Sequence, residues 1–123
     1  MSNNNRTFVL GIDGVPHSFL MERFSKGEMP AFAKLCRENT VQRMNSVYPT
    51  VSSVAWTTFA TGKNPAEHNI FGFVDRTPNP FQIKIPTDSD RKAKAIWREL
   101  SEQGKSVIVI NVPITYPPEE VNG

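Results

Sequence analysis

Thr7-Phe8-Val9-Leu10-Gly11-Ile12-Asp13-Gly14 is the stretch that sets the fold class of this chain. Six residues without a charge, rich in strand formers, end abruptly in Asp-Gly. A continuous run of this kind predicts a strand buried on both faces, as in a parallel sheet. Outward from it, two helical patterns follow. Phe19, Leu20, Met21 and Phe24 share one face, with Gly27 as a stop, and Pro30 opens a second helix in which Phe32, Leu35 and Cys36 repeat at i, i+3, i+4. Asn39 is the expected cap at its end.

Thr40 to Tyr48 reads as a weaker strand that Pro49 breaks. Ser52 and Ser53 are cap residues for a helix over Val54 to Thr61, closed by Gly62. Lys63 to Pro86, dense in Pro, Asn and Gly, predicts long loops with a short strand near Gln82 to Ile85. Asp90 caps a predicted helix over Arg91 to Gln103, with Ile96, Trp97 and Leu100 as its buried stripe and Gly104 as its stop. Ser106-Val107-Ile108-Val109-Ile110-Asn111 is the clearest strand of all. The order predicts an α/β fold, a mostly parallel sheet with helices on both faces.

Composition narrows the classes. The 123 residues suit one domain, and 38% hydrophobic residues argue against wholesale disorder. Ten prolines, well above the usual ~5%, imply many turns. The charge is only +2 and the basic residues are scattered, which is no footprint for a nucleic acid polymer. No apolar run approaches the roughly 18 residues of a membrane span, and Met1 to Thr7 is no secretory signal. One cysteine, Cys36, rules out an intrachain disulfide framework. Together these predict a cytoplasmic protein.

Two places could carry chemistry. Asp13 sits at the carboxyl end of the first predicted strand, the edge at which open α/β sheets bind ligands, and a carboxylate there suits a hard or borderline cation. Asp-Gly after a strand is equally ordinary turn chemistry. The second place is Tyr48-Pro49-Thr50-Val51-Ser52-Ser53-Val54-Ala55-Trp56-Thr57-Thr58-Phe59-Ala60-Thr61-Gly62. A serine at the start of that helix lies where N–H groups and the helix dipole favour anions. Paired serines before a helix are far more often simple caps. His17 and His68 have no metal-pair spacing and read as structural or solvent-facing, Cys36 reads as a core thiol, and Arg91, Lys92 and Lys94 read as a solvated helix start.

Taken together, the two segments resemble the alkaline phosphatase superfamily, in its type I phosphodiesterase/nucleotide pyrophosphatase branch. The likeness covers nearly the whole chain. It rests on Val9-Leu10-Gly11-Ile12-Asp13-Gly14, on Tyr48 to Gly62 followed by Asn64-Pro65-Ala66-Glu67-His68-Asn69-Ile70, and on Val109 to Pro118. The family nucleophile lies three positions after the early proline and ten before the glycine of the Thr-Gly pair. Counts from Pro49 and from Gly62 both reach Ser52. The resemblance implies Ser52 as nucleophile and metal ligand, and Asp13 as a ligand sharing that metal. It also implies two divalent ions in the complete enzyme (Zn²⁺ or Mn²⁺), a phosphoserine intermediate, and a small phosphodiester or phosphomonoester substrate.

Two departures stand out. His68-Asn69-Ile70 replaces the family's His-Gly-Ile, a change Asn tolerates because it accepts positive φ. Phe73 stands where nucleotide pyrophosphatases place a phosphoryl-contacting asparagine, which weakens nucleotide as the substrate. Family members are several hundred residues long and take further Asp and His ligands from segments with no counterpart here. The expectation is therefore that residues 1–123 form the N-terminal part of a single alkaline-phosphatase-like domain, inactive alone. Its unpaired sheet edge and exposed apolar faces would favour self-association. A phosphomutase of the same superfamily and a non-catalytic α/β binding module are the competing expectations.

Overall fold

The computed structural model describes residues 6–123, which divide into two compact units, one ending at Met44 and one running Asn45–Gly123. The first unit carries α1 (His17–Ser25) and α2 (Pro30–Glu38). The Pro16 carbonyl starts α1 by accepting the Phe19 and Leu20 N–H groups at 3.1 and 3.3 Å. Gly27 reverses the chain at φ +72°, a region that suits glycine, and Pro30 occupies the first turn of α2, where its missing N–H is not needed. Phe24 and Phe32 stack across the two helices with centroids 6.0 Å apart. Asn39 does close α2, but through its side chain, whose Nδ2–H donates to the Leu35 carbonyl at 2.9 Å.

In the second unit, α3 (Ser52–Thr61) buries Ser53, Val54, Thr57 and Ala60, a stripe at helical spacing. The helix begins at Ser52 with Val51 as its N-cap, so the two serines lie inside its first turn and no side chain caps it. Gly62, at φ +65°, ends it by donating its N–H to the Thr58 carbonyl at 2.8 Å. A short helix, α4 (Pro65–His68), follows, held by a reciprocal capping box between Asn64 and Glu67. Then come β1 (Asp75–Pro78) and β2 (Phe81–Lys84), an antiparallel hairpin in which Asp75 faces Lys84 and Arg76 faces Ile83. A 3-10 turn (Asp88–Asp90) and α5 (Ile96–Glu102) complete the elements.

The strand expected near Gln82 to Ile85 is therefore present as β2. The mostly parallel sheet is not: among the described residues the sheet is this two-stranded antiparallel hairpin, and the chain is mixed α/β. Thr7 to Ile12, Thr40 to Tyr48 and Ser106 to Asn111 form no ladder. Apolarity specifies that a segment should be covered, but a ladder also needs a neighbour in register, and local sequence does not name one. The last of these runs still alternates. Val107 and Val109 pack against the core of Ala60, Ala95 and Trp97, while Ile108 and Ile110 face outward at 81% and 73% exposure.

The predicted helix over Arg91 to Gln103 is shorter by its whole first turn, for a definable reason. The Lys92 N–H donates to the His68 carbonyl at 3.1 Å, and the Asp90 carboxylate accepts from Lys84 Nζ at 2.5 Å and from the Thr87 N–H at 2.9 Å. These groups are committed to tertiary bonds. Of the expected stripe only Trp97 is buried; Ile96 and Leu100 stay largely exposed.

Candidate functional site around the first turn of α3

Ser52 is the first residue of α3, where the helix leaves N–H groups that no helical carbonyl accepts. The Val51 carbonyl takes the Val54 and Ala55 N–H groups at 3.1 and 2.9 Å, which fixes the turn that presents Ser52. The first turn holds no acidic side chain to offset the positive end of the helix dipole. The neighbouring hydroxyls differ sharply in access. Thr50 is exposed and Ser52 half-buried, whereas Ser53 is 0% exposed and its Oγ has no hydrogen-bond partner. A nucleophile must meet solvent-borne substrate, which sets Ser53 aside on geometry.

The rest of α3 is anchored by the turn that follows it. His68 is fully buried. Its Nδ1 accepts the Ile70 N–H at 3.1 Å, so the neutral ring carries its proton on Nε2, and that N–H donates to Thr58 Oγ1 at 3.0 Å. Burial holds the His68 pKa below the usual imidazole range, and the positive charge of Arg91 lowers it further. Asn69 adopts φ +67°, the left-handed position where the resemblance expects glycine, and its Nδ2–H donates to the Asp90 carbonyl at 3.1 Å. Of the two expectations for His68, structural or solvent-facing, its burial selects the first.

Asp13 belongs to the first unit, in an exposed turn with Gly14 at φ +70°. His17 opens α1, and Cys36 lies half-buried on α2 as a free thiol. Arg91 corrects the sequence reading: it is no solvated helix start. Its side chain is 5% exposed and pairs with Asp88 at 2.6 Å and with Glu119 at 2.8 Å, and Glu119 also accepts the Trp97 Nε1–H at 2.5 Å. Lys94 instead serves the surface, paired with Glu102 at 2.7 Å. Thr58 and Glu119 were missed because their partners lie ten and more than twenty residues away, beyond any local pattern.

As metal donors, Asp13 and Ser52 offer oxygen, the chemistry that suits a divalent cation of hard or borderline character. Among the described residues no group of three or more His, Cys, Asp or Glu side chains gathers to hold an ion. No described helix is long and apolar enough to cross a membrane.

No curated protein and no solved structure matches this chain. A sequence-family model does: type I phosphodiesterase / nucleotide pyrophosphatase, over residues 7–122. That span takes in Asp13, the α3 block and the Val109 to Pro118 segment together, and the chain belongs to this family, within the alkaline phosphatase superfamily.

Proposed function

We propose that this chain carries the nucleophile segment of a metal-dependent hydrolase of small phosphate esters, with Ser52 as the nucleophile and Asp13 and Ser52 as metal ligands. The supporting observation is the placement of Ser52: first in α3, half-buried beside a sealed Ser53, at a helix end without acidic side chains. Ser52 Oγ attacks phosphorus, forming an Oγ–P bond as the ester oxygen leaves. Water then attacks the phosphoserine and frees phosphate or a monoester. The N–H groups of the first turn of α3 hold the phosphoryl oxygens. A divalent cation, Zn²⁺ or Mn²⁺, supplies the positive charge that lowers the hydroxyl pKa, since a free serine is a poor nucleophile. Two oxygen donors do not close a cation site, so this chain by itself is expected to turn over little.

The apolar runs Thr7 to Ile12 and Ser106 to Asn111 are, on the same proposal, strands of a mostly parallel alkaline-phosphatase-like sheet in the active enzyme. Their composition and the alternating burial of Val107 to Ile110 support this.

Release of p-nitrophenol from a diester and a monoester, with Zn²⁺ or Mn²⁺, tests the proposal in the intact protein. Ser52→Ala should lose at least about a thousandfold in kcat, as removal of a covalent nucleophile does. Asp13→Asn should lose metal-dependent activity, and Ser53→Ala should stay near wild type. Persistent turnover in Ser52→Ala would overturn the nucleophile assignment.

A further inference from the structure

The buried His68 ring does more than fill space. It is 0% exposed, it accepts the Ile70 N–H on Nδ1, and it donates Nε2–H to Thr58 Oγ1. Its backbone carbonyl accepts the Lys92 N–H at 3.1 Å. Three segments therefore meet on one residue: α3 through Thr58, the turn that carries Ile70, and the segment leading to α5 through Lys92. This arrangement accepts one protonation state. An imidazolium has N–H at both nitrogens, so the Nδ1–H would confront the Ile70 N–H, donor against donor. Ile70 is itself fully buried, and water does not reach that N–H to replace the lost acceptor.

We propose that His68 is a positioning residue for α3: in its neutral, Nε2-protonated form it clamps Thr58 to the Ile70 turn, and protonation at Nδ1 releases the helix that presents Ser52. Thr58 lies six residues after Ser52, about 9 Å along one rigid helix, so a shift at the clamp moves the first turn with it. The charged groups facing the ring are few. α3 contributes none, α4 contributes Glu67, and the segment after the 3-10 turn contributes Arg91. Desolvation, the largest effect, favours the neutral ring and so does Arg91, while a backbone hydrogen bond of His68 and, more weakly, Glu67 oppose them.

The sign follows from linkage. His68 binds its proton more readily in the unfolded chain than in the fold, so the clamp is intact above the ordinary imidazole value of about 6.5 and is lost as pH falls from there through the lower folded value. The clamp itself is independent of what Ser52 does; its effect on turnover rests on the nucleophile reading.

The first measurement is imidazole nitrogen NMR on the full chain. It should show His68 neutral with its proton on Nε2 at pH 7, titrating below the usual imidazole range. A proton on Nδ1, or an ordinary titration, would overturn the proposal. The second is amide hydrogen exchange across α3, corrected for intrinsic rates. Protection should fall at least tenfold from pH 7 to pH 5 in wild type and stay flat in His68→Gln, which keeps a donor for Thr58 without a titrating ring. Equal pH dependence in both would overturn it. Should His68→Gln fail to fold, Thr58→Ser against Thr58→Val decides: the serine should keep α3 protection and the valine should lose it, and identical behaviour of the two would refute the clamp. In the intact protein, the acid limb of kcat should move with Thr58→Val while KM stays within twofold. Turnover surviving in Ser52→Ala would remove the nucleophile reading and leave the NMR and exchange results to judge the clamp.

Discussion

Ile70 and Ile110 are the same side chain in opposite circumstances. Ile70 follows α4 in a turn fixed at every step, and is fully buried; Ile110 ends the most strand-like run in the chain and is 73% exposed. The difference is one of range. Around α3 and α4 most instructions are local: Gly62 stops a helix, Asn64 and Glu67 cap one, and a single longer contact, His68 to Thr58 ten residues back, ties the two together. The apolar runs carry only half an instruction. They say what must be covered and do not name the segment that covers them.

The widest expected gap is between these two isoleucines. Ile70→Ala should cost about 3 kcal/mol, the usual penalty for opening a cavity in a closed site. Urea unfolding followed by the fluorescence of Trp56 and Trp97 measures it. A loss under about 1 kcal/mol would mean that the α3–α4 region is as loosely held as the runs it is contrasted with.

Arg91 asks whether a long-range contact holds as firmly as the local ones. Arg91→Met removes the cation shared by Asp88 and Glu119 and leaves two partly buried carboxylates facing each other. A destabilisation of about 2 kcal/mol is expected, since the carboxylates keep some water and the methionine recovers part of the packing. A midpoint unchanged at pH 7 would show that the pairs contribute nothing net.

Gly62→Ala probes a purely local instruction. The position has φ +65°, and the space a Cβ would enter is open, so the penalty is backbone strain alone, about 1 kcal/mol. Thermal unfolding of the variant tests it, and an unchanged midpoint would mean that the α3 stop is set by the capping box beyond it.

The same division governs what could be read in the sequence. Both helices of the first unit, the body of α3 and its glycine stop were legible because spacing, proline and glycine act within a turn or two. So was β2. The sheet around it was not, since the apolar runs at Thr7 and Ser106 hold no record of their partners. The first turn of the predicted last helix failed because the Lys92 N–H bonds to His68, more than twenty residues back. At the candidate site, the resemblance, counted from Pro49 and from Gly62, points to Ser52, while the sealing of Ser53 could not be read from the sequence. The Thr58–His68 and Arg91–Glu119 contacts, which join distant segments, had no local signal at all.

The smallest expected effect is the most telling for the comparison. Ile108→Ser with Ile110→Ser places hydroxyls on side chains that already face outward at 81% and 73% exposure. Substitutions at exposed positions away from caps and cores stay within about 0.5 kcal/mol, so urea unfolding of this chain should hardly change. Two other quantities should. Self-association, read by sedimentation at rising concentration, should fall if these residues form a sticky apolar surface. On the proposal that this run is a strand of a parallel sheet in the active enzyme, the same double variant should be costly there, because such a strand is covered on both faces. A large loss of stability in this chain alone would mean that Ile108 and Ile110 are already buried, and that the contrast with Ile70 is false. An intact enzyme indifferent to both serines would leave Ser106 to Asn111 as surface, and the parallel-sheet proposal would fall with it.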